Sequence, residues 1–416
     1  MGLNVISTCN TILTRKTKFV ILILAKLHFF SYICRIMQEK DILIGFDAKR
    51  IVRNGTGLGS YARTLVNALS ENEHLQLNLY APDEGRDDLR QQIVNREKVK
   101  FVYPEGLHFR FQRDLWRTKG VVKQLKEDGV QLYHGLSGEL PAGLKAAGIP
   151  GVVTIHDLIF LRHPEYYHWW DVEIYRRKFK STLKEASRII AISECTKRDI
   201  LYYGDFPEDK IDVIYQGCSN RFRKSVSEAD KNRVKAKYNL SDNFILNVGS
   251  IEARKNVLLA VKALGCLLDS FRMVIVGRHT KYTDEVIAYV KKNGLEDRVQ
   301  ILHGIPDDDL PVIYHLAKVF VYPSRYEGFG IPIIEAIQTG LPVVACTGSC
   351  LEEAGGPDCL YVSPDDVEGM ANAIKQAIAE KDVRVPRAQE YIKRFENSNL
   401  AALVIEEYEK TINLNY

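Results

Sequence analysis

From residue 41 onward, short apolar runs rich in Val and Ile alternate with longer amphipathic stretches. This alternation is typical of parallel β-strands that are crossed by helices. Residues 59–70 place apolar side chains at helical spacing on one face, which predicts a helix after the first strand. The first half is therefore predicted to be a doubly wound sheet with helices on both faces. Its predicted strands are 42–47, 76–81, 99–103, 131–134, 151–155, 188–192 and 211–215.

A second series of strand-like runs follows a polar, charged stretch at residues 219–240, where we place the connection between two domains. We expect a tail (1–40), an N-terminal domain (41–220), a C-terminal domain (221–395) and a final segment (396–416). Ligands of open α/β sheets gather at the carboxyl ends of the strands, so the chemistry is predicted to lie in a cleft between the domains. The strands predicted in the second series are 244–249, 272–277, 299–302, 319–322 and 342–345.

The charge distribution argues against a nucleic-acid partner. The chain of 416 residues has a formal net charge of +4. Six basic residues and one acid fall in the first 40 residues, which leaves the remainder at −1. A nearly neutral body lacks the clustered positive charge that a nucleic-acid backbone requires. The eight cysteines contain no Cys-x-x-Cys pair and are interpreted as reduced thiols of a cytoplasmic protein.

The N-terminal tail contains an apolar run at residues 19–34 that follows three basic residues. Lys26 and His28 interrupt the run, and it is shorter than the roughly 20 residues that span a bilayer. Three interpretations stay open: a misplaced start before Met37, an anchor on the membrane surface, or a cleaved signal.

A glycine-rich loop follows the first strand. Gly55, Gly57 and Gly59 alternate with other residues and open a helix. Their backbone can approach a ligand closely, and their amides can face an anion. The spacing differs from the dinucleotide-binding fingerprint, so a plain flexible turn is the alternative.

Two adjacent cations, Arg254 and Lys255, follow the first strand of the second series and the loop that begins at Gly249. A helix is predicted to begin near Asn256. A diphosphate bound there would meet fixed positive charge and the positive end of the helix dipole. The alternative is a solvated surface pair.

Two glutamates, Glu327 and Glu335, lie eight residues apart around a Gly-Phe-Gly turn after the strand at 319–322. The turn frees backbone amides to donate to an anionic or hydroxylated ligand, and Pro332 favours a helix start. Each carboxylate can accept hydrogen bonds from sugar hydroxyls. The alternative is a purely structural pair, in which Glu335 supports the helix and Glu327 caps a turn.

Further candidates lie at strand and helix ends. His156 and His134 each follow a strand and are predicted to face the same cleft, with a structural histidine as the alternative in each case. The acidic triplet at 307–309 resembles a divalent-metal site, but we interpret it as the start of a helix, where acids complement the dipole.

Two aromatic-rich stretches complete the set. Residues 109–117 combine aromatic and basic side chains. We predict that they pack in the core with their arginines reaching solvent, and contact with a membrane or a lipid-linked acceptor is the alternative. Residues 166–170 are interpreted in the same way, with sugar stacking as the alternative.

Taken together, these motifs resemble glycosyltransferase family 4, the retaining enzymes with the GT-B fold of two Rossmann-like domains. The resemblance covers residues 42–408. Its most specific part is 322–336, Tyr-Pro-Ser-Arg-Tyr-Glu-Gly-Phe-Gly-Ile-Pro-Ile-Ile-Glu-Ala, which contains the Glu-x7-Glu signature of the family. Supporting matches lie at 154–157, 192–194, 249–256, 303–304 and 364–365. Family members also tend to end in a helix that crosses back onto the first domain, and residues 399–411 are expected to fill that role.

The resemblance implies a role for each candidate. Arg254 and Lys255 would bind the diphosphate of a nucleotide-sugar donor, and Glu335 would bind its ribose. His156 would lie near the reacting carbon and the glycine loop near the phosphates or acceptor. The groups that would hold the transferred sugar are Glu327 and the backbone of Gly328, Phe329, Gly330 and Ile331.

The same resemblance implies a hexosyltransferase that needs no metal or other cofactor. The expected donor is a GDP- or UDP-sugar, with mannose favoured, and the expected acceptor is a growing glycan or a lipid-linked one. We also expect a cytoplasmic location with peripheral contact at the inner membrane face. Ser250 departs from the family, in which an arginine often follows the glycine, so the diphosphate would depend on Arg254 and Lys255. The alternatives are a nucleotide-sugar epimerase or phosphorylase of the same fold, and a non-catalytic binding subunit.

Overall fold

The computed structural model describes residues 41–218 and 220–413, so the predicted tail at 1–40 lies outside the described residues. The first half forms a parallel sheet of seven strands in the order β3-β2-β1-β4-β5-β6-β7. The strands are β1 (Ile42–Asp47), β2 (Leu75–Tyr80), β3 (Val99–Val102), β4 (Leu132–Gly135), β5 (Gly151–Ile155), β6 (Arg188–Ala191) and β7 (Ile211–Val213). The helices are α1 (Lys49–Arg53), α2 (Gly57–Leu69), α3 (Asp87–Arg90), α4 (Arg110–Leu115), α5 (Val121–Glu127), α6 (Ile159–Arg162), α7 (Trp169–Glu185) and α8 (Glu194–Tyr203).

The second half forms a parallel sheet of six strands in the order β10-β9-β8-β11-β12-β13. The strands are β8 (Phe244–Val248), β9 (Arg272–Val276), β10 (Val299–Leu302), β11 (Val319–Tyr322), β12 (Val343–Cys346) and β13 (Leu360–Val362). The helices are α9 (Glu228–Tyr238), α10 (Val257–Leu264), α11 (Lys281–Lys292), α12 (Leu310–Leu316), α13 (Ile331–Gln338), α14 (Leu351–Gly355), α15 (Val367–Ala379), α16 (Lys381–Tyr391) and α17 (Asn397–Asn413).

Both sheets confirm the predicted α/β fold class, and every strand predicted from the apolar runs is present within two residues of its expected ends. Strands β4, β5, β6, β11 and β12 are buried at every position, as expected where helices cover both faces of a parallel sheet. The sequence reasoning missed β13, which has only three residues and lies at the sheet edge.

Each sheet has one point where the strand order reverses, between β1 and β4 in the first and between β8 and β11 in the second. At such a point the loops that follow the two strands turn to opposite faces and leave a crevice. The loops after β8 and β11 contain residues 249–256 and 323–330. The fold therefore brings the two-cation loop and the first glutamate of the signature to one crevice.

The last helix, α17, crosses to the N-terminal domain. Leu400, Val404 and Tyr408 belong to the same buried cluster as β1 and α2. The hydroxyl of Tyr408 lies 2.6 Å from Nδ1 of His134, whose Nε2 lies 2.8 Å from Oγ1 of Thr154. His134 therefore has a structural role, because both of its ring nitrogens contact neighbouring side chains inside the domain.

The prediction for residues 109–117 is wrong. Phe109, Phe111 and Leu115 are 63%, 68% and 61% exposed, and α4 has no buried residue. The polar side of the segment faces the protein instead, since Lys49 contacts Asp114 and the buried Arg117 is paired with Asp47 at 2.6 Å. These ion pairs orient the segment and leave its aromatic side in solvent.

The core interpretation also fails for part of residues 166–170. Trp169 and Trp170, at the start of α7, are 75% and 50% exposed. Within residues 41–218 and 220–413, no helix combines the length and the apolar character needed to cross a bilayer.

Candidate functional site

The loops after β8 and β11 are joined by their backbones, because the amide of Arg325 donates to the carbonyl of Arg254 at 2.9 Å. Residues Ala253–Lys255 form a short 3₁₀ turn, and Asn256 then adopts a left-handed conformation with φ of 51°. The helix α10 begins at the next residue. Both cations therefore lie on a rigid turn just before a helix.

The carboxylate of Glu327 is the centre of this loop pair. Its Oε2 lies 2.7 Å from Nη1 of Arg254, and its Oε1 lies 3.1 Å from Nζ of Lys255. The hydroxyls of Tyr322 and Ser324 also donate to Oε1, at 3.1 and 2.9 Å. The Lys255 ammonium donates to Tyr322 at 2.7 Å. Two cations thus meet the carboxylate of Glu327, and the carboxylate of Glu252 lies 3.9 Å from Nη2 of Arg254.

The three groups of this cluster keep one another ionised. Burial alone would raise the pKa of Glu327, but Lys255 and Arg254 overcome that effect and hold its pKa at about 2. Burial would lower the pKa of Lys255, and the charge of Glu327 instead raises it above the ordinary value. All three groups are therefore ionised at neutral pH.

The second glutamate of the signature has a different environment. Glu335 lies in α13, and its Oε2 accepts a hydrogen bond from the Tyr314 hydroxyl at 3.0 Å. Burial raises its pKa to about 7, although Tyr314 and the charge of Arg221 act in the opposite direction. The two glutamates therefore differ in charge state near neutral pH.

The turn between the glutamates is shaped mostly by packing. Phe329 is buried and lies against Tyr215, with ring centroids 5.5 Å apart. Gly330 precedes α13, which begins at Ile331. Gly249, in the cation loop, has φ of +150°, and a Cβ there would lie 3.3 Å from the Lys255 side chain. This glycine leaves room for the ammonium to reach Glu327.

His156 lies at the end of β5 as a neutral imidazole. Its Nε2 is 2.9 Å from the Leu136 carbonyl oxygen, and its Nδ1 is 2.6 Å from Nε2 of the Gln216 side chain. The first contact requires a proton on Nε2, and the second requires Nδ1 to accept. Burial lowers the pKa of His156 to about 4. Both ring nitrogens are thus engaged by the protein.

A cavity of 270 Å³ adjoins His156 on the N-terminal side of the cleft. Leu58, from the glycine loop, lines it together with Asp157, Tyr167 and Tyr175. The loop glycines meet different constraints. A Cβ at Gly57 would meet open space, a Cβ at Gly55 would come no closer than 3.5 Å to Arg86, and a Cβ at Gly59 would lie 1.8 Å from the Asn54 carbonyl oxygen. Only Gly59 is required by close packing.

The acidic triplet precedes α12, and its last member is held by cations and a hydroxyl. Asp309 contacts Arg233 at 2.8 Å, Lys237 at 2.7 Å and the Tyr238 hydroxyl at 2.7 Å. Over the described part of the chain, no group of three or more His, Cys, Asp or Glu side chains is arranged to hold a metal ion.

Several site residues were missed by sequence reasoning. Tyr322 and Ser324 stand inside the stretch 322–336 without a predicted role, and no role is predicted for Tyr314 or Gln216. A sequence signal could have identified Tyr322 and Gln216, since each has a polar side chain at or just after the end of a strand. Tyr314 lies inside a helix, and nothing in its local sequence indicates that it meets Glu335.

A cleft between two Rossmann-like sheets, with fixed cations at the reversal point of one and a cavity at the end of the other, is the arrangement of the GT-B fold. The domain model described as Glycosyltransferase Family 4 matches residues 55–219, and the model for glycosyl transferases group 1 matches 228–396. The chain belongs to glycosyltransferase family 4.

Two curated relatives have closely related names. The chain is 28% identical over 383 residues to O-antigen chain mannosyltransferase B of Escherichia coli, covering 85% of this chain and 96% of the relative. It is 30% identical over 254 residues to the O-antigen chain mannosyltransferase RfbU of Salmonella typhimurium, covering 61% of this chain and 67% of the relative.

Solved structures have the same fold. A glycosyltransferase of Rickettsia africae superposes with a TM-score of 0.70 at 20% identity, covering 91% of this chain and all of the other. HepE of Anabaena, crystallised with UDP and glucose, gives a TM-score of 0.68 at 19% identity and covers 89% of this chain and all of its own.

The opposite pKa shifts of the two glutamates predict opposite effects of removing their charge. The folded-state pKa of Glu335 is raised, so its stabilising contribution is present below pH 4.5 and is lost as the pH rises through about 7. Glu335→Gln should therefore raise the free energy of unfolding of the ligand-free protein at pH 8 by about 3 kcal/mol, and so raise its apparent Tm. At pH 5 the apparent Tm should change little.

Glu327→Gln is the matched control with the opposite sign. The lowered pKa of Glu327 means that its contribution is present above pH 4.5 and is lost as the pH falls through about 2. This variant should lower the apparent Tm at pH 8. Differential scanning fluorimetry at both pH values measures the effects, and equal shifts for the two variants would contradict the assignment.

Proposed function

We propose that the protein is a retaining glycosyltransferase that moves a hexose, with mannose favoured, from a nucleotide-sugar donor to a growing glycan or a lipid-linked acceptor. The observation that carries the proposal is the cluster of Arg254, Lys255 and Glu327 at the reversal point of the second sheet. The names of the two mannosyltransferase relatives support the choice of sugar and the role in cell-surface polysaccharide biosynthesis.

The donor is expected to lie across the C-terminal side of the cleft, with its diphosphate against Arg254 and Lys255. The carboxylate of Glu335 accepts hydrogen bonds from the ribose hydroxyls, and Glu327 with the backbone of residues 328–331 holds the transferred sugar. The base is that of a GDP- or UDP-sugar. A fold relative that was crystallised with UDP supports the nucleotide class but does not select the base.

The proposed reaction is a substitution on one face of the sugar. The bond from the anomeric carbon to the diphosphate oxygen breaks, a bond to the acceptor oxygen forms, and the acceptor proton passes to the leaving diphosphate. Arg254 and Lys255 stabilise the charge that develops on this group, which is electrostatic catalysis without a metal ion. His156, with both ring nitrogens engaged, contacts the sugar rather than transferring the proton.

The cavity beside His156 is proposed to receive the acceptor. Tyr167 and Tyr175 offer aromatic surfaces for the apolar face of a sugar ring, and Asp157 offers a hydrogen-bond acceptor. We place the protein in the cytoplasm, at the inner face of the membrane. The buried thiols of Cys195, Cys346, Cys350 and Cys359 are compatible with a reducing compartment.

The direct test is incubation of the purified protein with GDP-mannose, UDP-glucose and ADP-glucose, with and without an O-antigen-type lipid-linked acceptor. We expect transfer from GDP-mannose only when acceptor is present, and the same rate with EDTA. NMR of the product should show the anomeric configuration of the donor. Turnover without acceptor would indicate an epimerase, and donor binding without turnover would indicate a binding subunit. An inverted product would contradict the retaining mechanism.

Lys255→Ala should lower kcat by about 10² or more, because loss of one preorganised charge partner costs roughly 3 kcal/mol in the transition state. Lys262→Ala is the matched control, since this lysine lies on α10 just after the cation turn but is exposed. Steady-state kinetics should separate the two variants. An unchanged rate for Lys255→Ala would remove this residue from the mechanism.

The exposed aromatic residues support contact between the membrane and the N-terminal domain, which is proposed to receive the acceptor. The apolar side chains of residues 109–115 point to solvent, whereas Arg113 donates to the Leu107 carbonyl and the buried Arg117, just after α4, is paired with Asp47. Trp169 and Trp170 are exposed at the start of α7, whose outer face also carries Arg176, Arg177 and Lys180. Aromatic and basic side chains together are typical of surfaces that lie in the interface of an anionic bilayer.

Replacing Phe109 and Phe111 by Ser should therefore weaken binding to vesicles of phosphatidylcholine and phosphatidylglycerol by about tenfold or more, because the buried apolar area is lost. Leu268→Ser is the control, since Leu268 is 72% exposed on the other domain. Co-sedimentation measures both. Equal binding of the two variants would show that this surface does not meet the membrane.

A further inference from the structure

One face of helix α8 reaches from the N-terminal domain to the loop that carries Glu327. Ser193 precedes the helix, and Thr196 and Asp199 follow at intervals of three residues, so the three side chains lie on one face. All three are nearly completely buried. Each makes a hydrogen bond to the loop at residues 326–328 of the C-terminal domain.

On one side of Glu327 the contact is a pair of buried side chains. The Tyr326 hydroxyl donates to Oδ2 of Asp199 at 2.6 Å, and it also lies 3.2 Å from Sγ of Cys195. The His163 ring packs on the Tyr326 ring with centroids 5.0 Å apart. Because both polar groups are removed from water, breaking this bond leaves a buried group unsatisfied.

On the other side of Glu327 the contact is made by backbone. The Gly328 carbonyl accepts from Oγ of Ser193 at 2.7 Å and from Oγ1 of Thr196 at 3.3 Å. The approach of the domains is close here, since a Cβ on Gly328 would lie 2.1 Å from the His156 carbonyl oxygen. Residue 328 is therefore glycine because the domains touch at this point.

A further contact joins the domains beside the same loop. A carboxylate oxygen of Glu353, in α14, accepts a hydrogen bond from the amide of Glu194 at 2.8 Å. Ile192 and Cys195 also belong to the same buried apolar cluster as Tyr326 and Phe329. The contacts of α8 are thus concentrated on the signature loop and its surroundings.

We propose that Ser193, Thr196 and Asp199 are positioning residues for Glu327. They hold both of its chain neighbours, so contact between the two domains fixes the position at which the Glu327 carboxylate meets Arg254 and Lys255. The inference rests on the proposed glycosyl transfer for its kinetic consequence, but its structural consequence can be measured without turnover.

The alternative is that these contacts only hold the domains together. In that case, variants would lower the thermal stability and leave the kinetics of the remaining folded protein unchanged. A positioning role predicts instead a lower kcat and a higher KM for the donor at temperatures where the protein is fully folded.

The kinetic test compares Tyr326→Phe, Asp199→Ala and the double variant. Each should lower kcat/KM for the donor by about tenfold or more, and the double variant should fall no further than the worse single one, because all three remove the same bond. Asp199→Asn keeps an acceptor oxygen and should stay within about threefold of the unmodified protein. Tyr202→Phe, which alters an exposed tyrosine on the same helix, is the matched control.

The second readout is hydrogen–deuterium exchange of the backbone amides in residues 324–330. Exchange should be faster in Tyr326→Phe and Asp199→Ala than in Tyr202→Phe, with no nucleotide or acceptor present. Unchanged exchange and unchanged kinetics in the first two variants would overturn the proposal. Absence of transfer in the unmodified protein would refute the proposed function alone, since the exchange result stands without it.

Discussion

The buried contact of Glu327 with Arg254 and Lys255 is the interaction on which the site depends. Each of the three charges would be costly to bury alone, and together they offset one another's loss of hydration. The two hydroxyls that also donate to Glu327 complete its hydrogen bonding. The result is a pair of cations whose positions are fixed before any ligand arrives, an arrangement that stabilises a developing anion with little reorganisation.

The same signature uses its two carboxylates in opposite ways. Glu327 gains stability from ionisation because cations surround it, whereas burial of Glu335 opposes ionisation. A carboxylate held in this unfavourable state gains more from hydroxyl donors than one that is already satisfied. Glu335 is therefore suited to recognise a hydroxylated ligand at some expense of stability, while Glu327 organises the loop. Membership of one signature does not imply equal roles.

The strands and the two sheets could be predicted from the sequence, because Val- and Ile-rich runs determine them. The position of the loops 249–256 and 323–330 at the cleft could be predicted too, because each follows the end of a parallel strand. The partners of the site residues could not. Tyr314 reaches Glu335 from another helix, and Gln216 reaches His156 across the sheet edge. The prediction for the aromatic segment at 109–117 is wrong because apolar content does not by itself imply burial, and the ion pairs of Arg117 and Asp114 orient the segment the other way.

The glycines show why sequence alone does not reveal the function of a motif. Gly57, the first residue of α2, and Gly328 both belong to glycine-rich segments, yet a methyl group would meet open space at Gly57 and the carbonyl oxygen of His156 at Gly328. The first position therefore tolerates a side chain, whereas the second is determined by the opposite domain. A residue of the signature can thus be required by domain contact rather than by the ligand. The conformation of the Glu327 loop is accordingly determined by contacts with both domains, although the loop is part of the C-terminal domain only.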